Sequence, residues 1–119
     1  MTVSITNGCE YCTASHTESL LREFDVPETQ IESIADGNYH DLDETDRHVV
    51  ELAEQATRDP RRVTADHIEA LLADGFTEET IIELLLLIGQ ANLANIIVDA
   101  VNVNPEDPDD DLVEYLPGT

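Results

Sequence analysis

The chain has 119 residues and a mass of 13.2 kDa, a size that suits one domain built around one hydrophobic core. Its 27 acidic residues face 5 cations, for a formal charge of −22 and a pI of about 4.1, while 41% of the residues are hydrophobic. A field that negative repels phosphate, which argues against nucleic acid and anionic membranes as partners, and the apolar share argues against wholesale disorder.

The predicted elements are helical from end to end. Asn7 can cap a first helix running from about Gly8 to Phe24, with Glu10 placed to reach back in a variant of the capping box and with Leu20, Leu21 and Phe24 on the apolar side. Pro27 suits the first turn of a short second helix ending near Ala35, before Asp36-Gly37. Asp43 caps a third, in which Val49, Leu52, Ala53 and Ala56 fall on one face, and Asp59-Pro60 closes it. Thr64 starts a fourth through Ile68, Leu71 and Leu72, ended by Gly75; Thr77 caps the last and longest, from Glu78 to about Val101. No segment alternates with a period of two, so no sheet is expected. The fold class is all-α, about five helices within residues 1–103, followed by a loosely ordered acidic tail over 104–119 that contains NPEDPDDD.

All five cations are arginines, and the acids run through every predicted helix rather than gathering in the tail. A lysine-free, uniformly acidic surface reads as halophilic adaptation, since high salt screens most of the self-repulsion. Residues Met1 to Asn7 lack the basic start and apolar run of a leader. The stretch from Ile81 to Val101 is interrupted by Glu83, Gln90, Asn92, Asn95 and Asp99 and reads as too polar to span a bilayer unaided. The expectation is a cytoplasmic protein without a membrane partner.

Leu84, Leu85, Leu86, Leu87 and Ile88 point in every direction around the last helix. Such a helix belongs in the centre of a core or in a subunit interface, and few helices are available to surround it, so a homo-oligomer is expected. Asn92, Asn95 and Asp99 share one stripe of that helix, as buried hydrogen bonds fixing helix pairing or subunit register, or as part of a substrate pocket. His48 and His67 lie among acids on amphipathic helices and read as surface residues.

Cys9, Cys12 and His16 carry the chemistry. Their spacing of i, i+3 and i+7 puts them on one helical stripe, with His16 one turn beyond Cys12. Near a helix start, free N–H groups and the helix dipole favour a thiolate, most strongly at Cys9. His16 can exchange a proton beside Cys12, and the two sulfurs are close enough in sequence to close a disulfide across one turn. Rival readings remain: two cysteines and a histidine serving only as core residues, or zinc held by Cys9, Cys12, His16 and His40 or His67, for which one continuous helix makes a poor tetrahedral set. Covalent haem attachment needs a histidine where Thr13 stands.

The run VSITNGCEYCTASHT, from Val3 to Thr17, resembles the core motif of the alkylhydroperoxidase D-like, carboxymuconolactone decarboxylase superfamily. The likeness continues through DETDRHVVELAEQAT, VTADHIEALLADGFTEETIIELLLLI and QANLANIIVDAVNV, covering residues 3–103. It implies a helical domain assembling as a trimer or hexamer, with peroxidase or disulfide-reductase activity and no cofactor or metal. In that resemblance Cys12 is the sulfur oxidised by hydroperoxide, Cys9 resolves it to a disulfide, His16 matches the motif histidine, and a dithiol or thiol protein resets the pair. Tyr11 stands where the best-studied branch has a histidine; it can wall the pocket and offer its hydroxyl to a peroxide oxygen. Family members also carry a relay glutamate on a helix ahead of the motif, whereas Glu10 projects roughly 100° away from Cys9. Two alternatives to the peroxidase reading are a non-catalytic helical oligomer or interaction module that retains the motif, and a decarboxylase-like member of the superfamily.

Overall fold

Local capping chemistry sets most of the helix boundaries in residues 1–101, which the computed structural model describes. The elements are α1 (Thr2–Asn7), α2 (Glu10–Arg22), α3 (Glu28–Asp36), α4 (Glu44–Arg58), a single 3-10 turn (Pro60–Arg62), α5 (Ala65–Ala73) and α6 (Glu78–Ala100). The Asp43 carboxylate accepts from the Asp46 amide at 2.8 Å and the Thr77 hydroxyl from the Thr80 amide at 3.1 Å, satisfying donors that the first turn leaves free. At the start of α5, His67 turns back so that its Nδ1 accepts from the Thr64 amide at 3.0 Å. The described residues are all-α, with no strand. The tail expected over 104–119 lies outside the described residues.

The predicted first helix is broken in two. Gly8 takes the left-handed conformation at φ 71°, its amide bonds back to Ile5, and the Cys9 amide bonds to the Ser4 carbonyl at 2.9 Å. That is the usual glycine-terminated helix end, and it makes residues 2–7 a separate helix. Asn7 therefore caps nothing; it is the last residue of α1. Cys9, in extended conformation, occupies the cap position of α2, and Glu10 is its first helical residue.

Val3, Leu52, Ala53, Leu71, Ile81 and Ile88 form the buried core, flanked by Val49, Ala56, Ile68 and Leu84. α4 lies at its centre, with α1, α5 and α6 packed around it. Leu52 and Leu71, both fully buried, fall where the helical spacing places them. Phe24, expected on an apolar side, is 70% exposed.

His48 is not a surface residue. It is half-buried, and its Nδ1 lies 2.6 Å from Asp74 Oδ2, tying the middle of α4 to the C-terminal cap of α5. His67 is also half-buried. Tyr39 is buried at a positive φ of 57°, and its hydroxyl donates to Glu54 Oε2 at 2.6 Å.

α6 is one-sided in its packing although apolar all round. Ile81, Ile88 and Asn95, two turns apart in succession, face inward. Ile82, Leu86, Leu93, Ile96 and Ile97 form the opposite face, each more than half exposed. By length and composition alone this 23-residue helix is long and apolar enough to cross a membrane, with a mean hydropathy of 1.9 over its most apolar window. The polar interruptions, Glu83, Gln90, Asn92, Asn95 and Asp99, do not remove that property as expected, because the intervening Leu, Ile and Val residues outweigh them in the mean.

Candidate thiol site

The break at Gly8 brings three helices to one place. Chain reversal between α1 and α2 sets Cys9 level with Ser4, through the Cys9 amide to Ser4 carbonyl bond. α6 crosses the same region: the Ser4 hydroxyl donates to Asn95 Oδ1 at 3.1 Å, and the Asn7 amide nitrogen donates to Asn92 Oδ1 at 2.8 Å. Asp99 stands one turn beyond Asn95 on α6, and its carboxylate is among the groups that raise the Cys9 thiol.

Both cysteines are reduced and buried, Cys9 completely and Cys12 with 6% of its surface exposed. The two residues stand three positions apart across the start of α2, Cys9 at its cap and Cys12 in its first turn. The Cys9 carbonyl is held by the Thr13 amide and hydroxyl, at 2.9 and 2.8 Å, so the thiol-bearing turn is anchored from within α2. Burial comes first among the causes that push the Cys9 thiol up to about 12, followed by the Cys12 side chain; the Asp99 carboxylate adds to the rise, and the Cys12 amide opposes it. The helix-start argument for an acidic Cys9 is thus outweighed: a dipole acts at the cap, but complete burial beside a carboxylate penalises the thiolate more.

His16 lies two turns into α2 and is exposed along its outer edge. Partial burial first, and the positive chain amino group second, hold its ring below the usual histidine value, so it is chiefly a neutral imidazole at pH 7. No hydrogen bond joins it to Cys12 among the described residues. Tyr11 is 41% exposed at the edge of the same turn. Among the described residues, no three His, Cys, Asp or Glu side chains converge in a way that could hold a metal ion.

The inward polar stripe of α6 serves helix pairing, as Asn92 and Asn95 show. Asn95 Nδ2 and Thr17 Oγ1 are buried polar atoms without a protein partner among the described residues. Asp99 as a neighbour of Cys9 was not foreseen. Its place on the Asn92–Asn95 stripe was the available signal, but which helix that stripe faces depends on the packing of α1 and α2 against α6. Compared with known proteins, the chain matches no protein-family model and no curated protein sequence.

Proposed function

We propose that this protein is a thiol-dependent peroxidase or disulfide reductase of the alkylhydroperoxidase D-like type, acting through Cys12, Cys9 and His16. The observation that carries this reading is two reduced, buried thiols three residues apart at the start of one helix, Cys9 at its cap and Cys12 in its first turn. Cys12 as thiolate attacks a hydroperoxide, the O–O bond breaks, and Cys12 becomes a sulfenic acid while the departing alkoxide takes a proton. Neutral His16 draws the Cys12 proton and returns it to the leaving oxygen. The Cys9 thiol then displaces water from the sulfenic acid to form the disulfide, and an external dithiol restores both thiols, itself becoming oxidised. No cofactor enters these steps, and a dithiol reductant suits a reducing compartment such as the cytoplasm.

Stoichiometric hydroperoxide followed by mass spectrometry tests this. The reduced chain loses two hydrogens and the disulfide maps to Cys9 and Cys12, whereas Cys12→Ser gives no turnover with dithiol. Two unmodified cysteines after exposure to excess peroxide would rule the reading out.

The apolar outer face of α6 favours a second element of the same proposal, a homo-oligomer, which the resemblance makes trimeric or hexameric. In a chain of −22, five large aliphatic side chains on one uncharged helical row are suited to another copy of themselves, since packing them removes apolar surface from water without bringing acids into the contact. The same face is what supports the alternative of a non-catalytic interaction module.

A further inference from the structure

The outer side of α6 carries a regular row. Ile82, Leu86, Gly89, Leu93, Ile96 and Ala100 follow one another at alternating steps of four and three residues, and each is exposed. That is the spacing of a coiled-coil seam, and at 3.6 residues per turn the row keeps within roughly 40° of one line along the helix. From Leu84 to Val98 the helix contains no charged residue, whereas Glu78, Glu79 and Glu83 lie in its first two turns.

Gly89, near the middle of the row, is not explained by anything inside the chain. Its backbone is ordinary helix, with none of the positive φ of Gly8, Gly37 and Gly75. A Cβ placed there would meet no atom within 4 Å, so no neighbouring element presses on it either. Glycine in the middle of a helix is destabilising relative to alanine, and here it leaves a gap between Leu86 and Leu93. Such a gap lets another backbone come close.

We infer that two copies of this chain pack α6 against α6, antiparallel, about a two-fold axis at Gly89, where the helices cross at their closest. The inference rests on the homo-oligomer reading above and adds the contact, its direction and its symmetry. With Gly89 on the axis, Ile82 comes opposite the partner's Ile96, each about two turns from the crossing, and Leu86 comes beside the partner's Leu93, each about one turn from it. Charge selects the direction. Parallel helices would set Glu79 and Glu83 of one copy beside the same residues of the other, whereas antiparallel ones send each acidic end toward the acid-poor half of its partner and oppose the two helix dipoles. On a chain of −22, the uncharged row is where two copies meet with the least repulsion. Lipid is the rival occupant, since α6 is apolar enough by composition to cross a membrane. Lipid tails follow whatever outline a helix presents, so they give no reason for a gap at the centre of the row. Of the assemblies that the resemblance implies, a two-fold contact belongs to the hexamer, because a ring of three has no two-fold axis.

The test is sedimentation of the full chain at molar salt with the gap filled. Gly89→Leu is expected to weaken self-association about tenfold or more by wedging the helices apart, while its helical circular dichroism is kept, since leucine favours the helix within one chain. A row that only buried apolar surface would bind more tightly with a leucine added, and that result overturns the inference. Cross-linking tests the symmetry without filling the gap. Brief oxidation of Gly89→Cys, with the links mapped by mass spectrometry, is expected to join the two introduced thiols between copies. Ile82→Cys alone gives no such link, whereas Ile82→Cys mixed with Ile96→Cys does. A link in Ile82→Cys alone means parallel helices and overturns the direction. If the unaltered chain sediments as a single copy at every salt concentration, the homo-oligomer reading fails and this contact with it. If it is an oligomer whose association and cross-links ignore residue 89, that reading stands and the crossing fails. Flotation with phosphatidylcholine vesicles in place of self-association gives the face to lipid and overturns the inference.

Discussion

Asn95 of α6 accepts a hydrogen bond from the Ser4 hydroxyl of α1 at 3.1 Å, joining residues 91 positions apart with both side chains buried. Through Ser4 this contact continues to the Cys9 amide, so the same bond that pairs α1 with α6 sets the height of the thiol turn. Because Asn95 Nδ2 has no partner among the described residues, the oxygen bond is what its amide group has in return for leaving water. Ser4→Ala removes it and should cost about 1–3 kcal/mol, seen as a lower thermal midpoint. Adding Asn95→Leu to Ser4→Ala should recover part of that loss, since the buried polar group goes with its missing partner. A double variant no more stable than Ser4→Ala would show that the bond does not set the balance.

Resolution by Cys9 predicts a distinct product when it is absent. In Cys9→Ser, one equivalent of hydroperoxide should add one oxygen to Cys12 and stop there, and a 1,3-diketone should capture it as a stable adduct. Mass spectrometry of the Cys12 peptide checks this. Direct loss of two hydrogens in Cys9→Ser would mean that another group resolves the sulfenic acid.

Alkaline pH should destabilise the reduced fold. The unfolded Cys9 thiol loses its proton near its ordinary value of 9.0, whereas in the fold it holds the proton up to about 12. Across that window the unfolded chain binds fewer protons, so stability falls as pH rises. Tyr39 adds to the same slope, because burial and then the Glu54 hydrogen bond raise its phenol. Thermal midpoints from about pH 8 to about pH 11 should decline less steeply in Cys9→Ala and in Tyr39→Phe than in the parent chain. Parallel slopes in all three would leave the alkaline loss to other groups.

Salt and the outer face of α6 should act together on assembly. Raising ionic strength from about 0.1 M to about 1 M shortens the screening length from about 10 Å to roughly 3 Å, which relieves repulsion between copies that each carry −22. Light scattering should therefore show a larger particle, and melts a higher midpoint, at molar salt. Leu86→Glu or Ile97→Glu, both at exposed positions, should reduce the particle to one chain at high salt while leaving the helical circular dichroism intact. A mass independent of both salt and these substitutions would remove the oligomer and the halophilic reading together.

The starts of α4, α5 and α6 and the closing of α4 at Asp59-Pro60 were legible in the sequence because capping is a contact within four residues: Asp43 to Asp46, Thr64 to His67 and Thr77 to Thr80 need nothing from the rest of the chain. The pairing of Leu52 with Ala53, and of Leu71 with Ile68, on inward faces was legible for a similar reason, since 3.6-residue periodicity is a property of one helix. Cys9, Cys12 and His16 stood out by spacing alone.

Helix α1 was not legible, because six residues do not sustain a helix by themselves; α1 persists through its packing on α4 and α6, and Gly8 then has a helix to terminate. The raised thiol of Cys9 was not legible either. A helix dipole can be reckoned from sequence, but the burial of Cys9 and the arrival of Asp99 from 90 residues away require the fold. Which face of α6 meets the core was only half legible, since the stripe of Asn92 and Asn95 suited helix pairing and a subunit interface alike; the positions of α1, α4 and α5 decide it. Sequence determined the interactions that close within a turn, and tertiary structure decided those whose free energy depends on what is brought alongside.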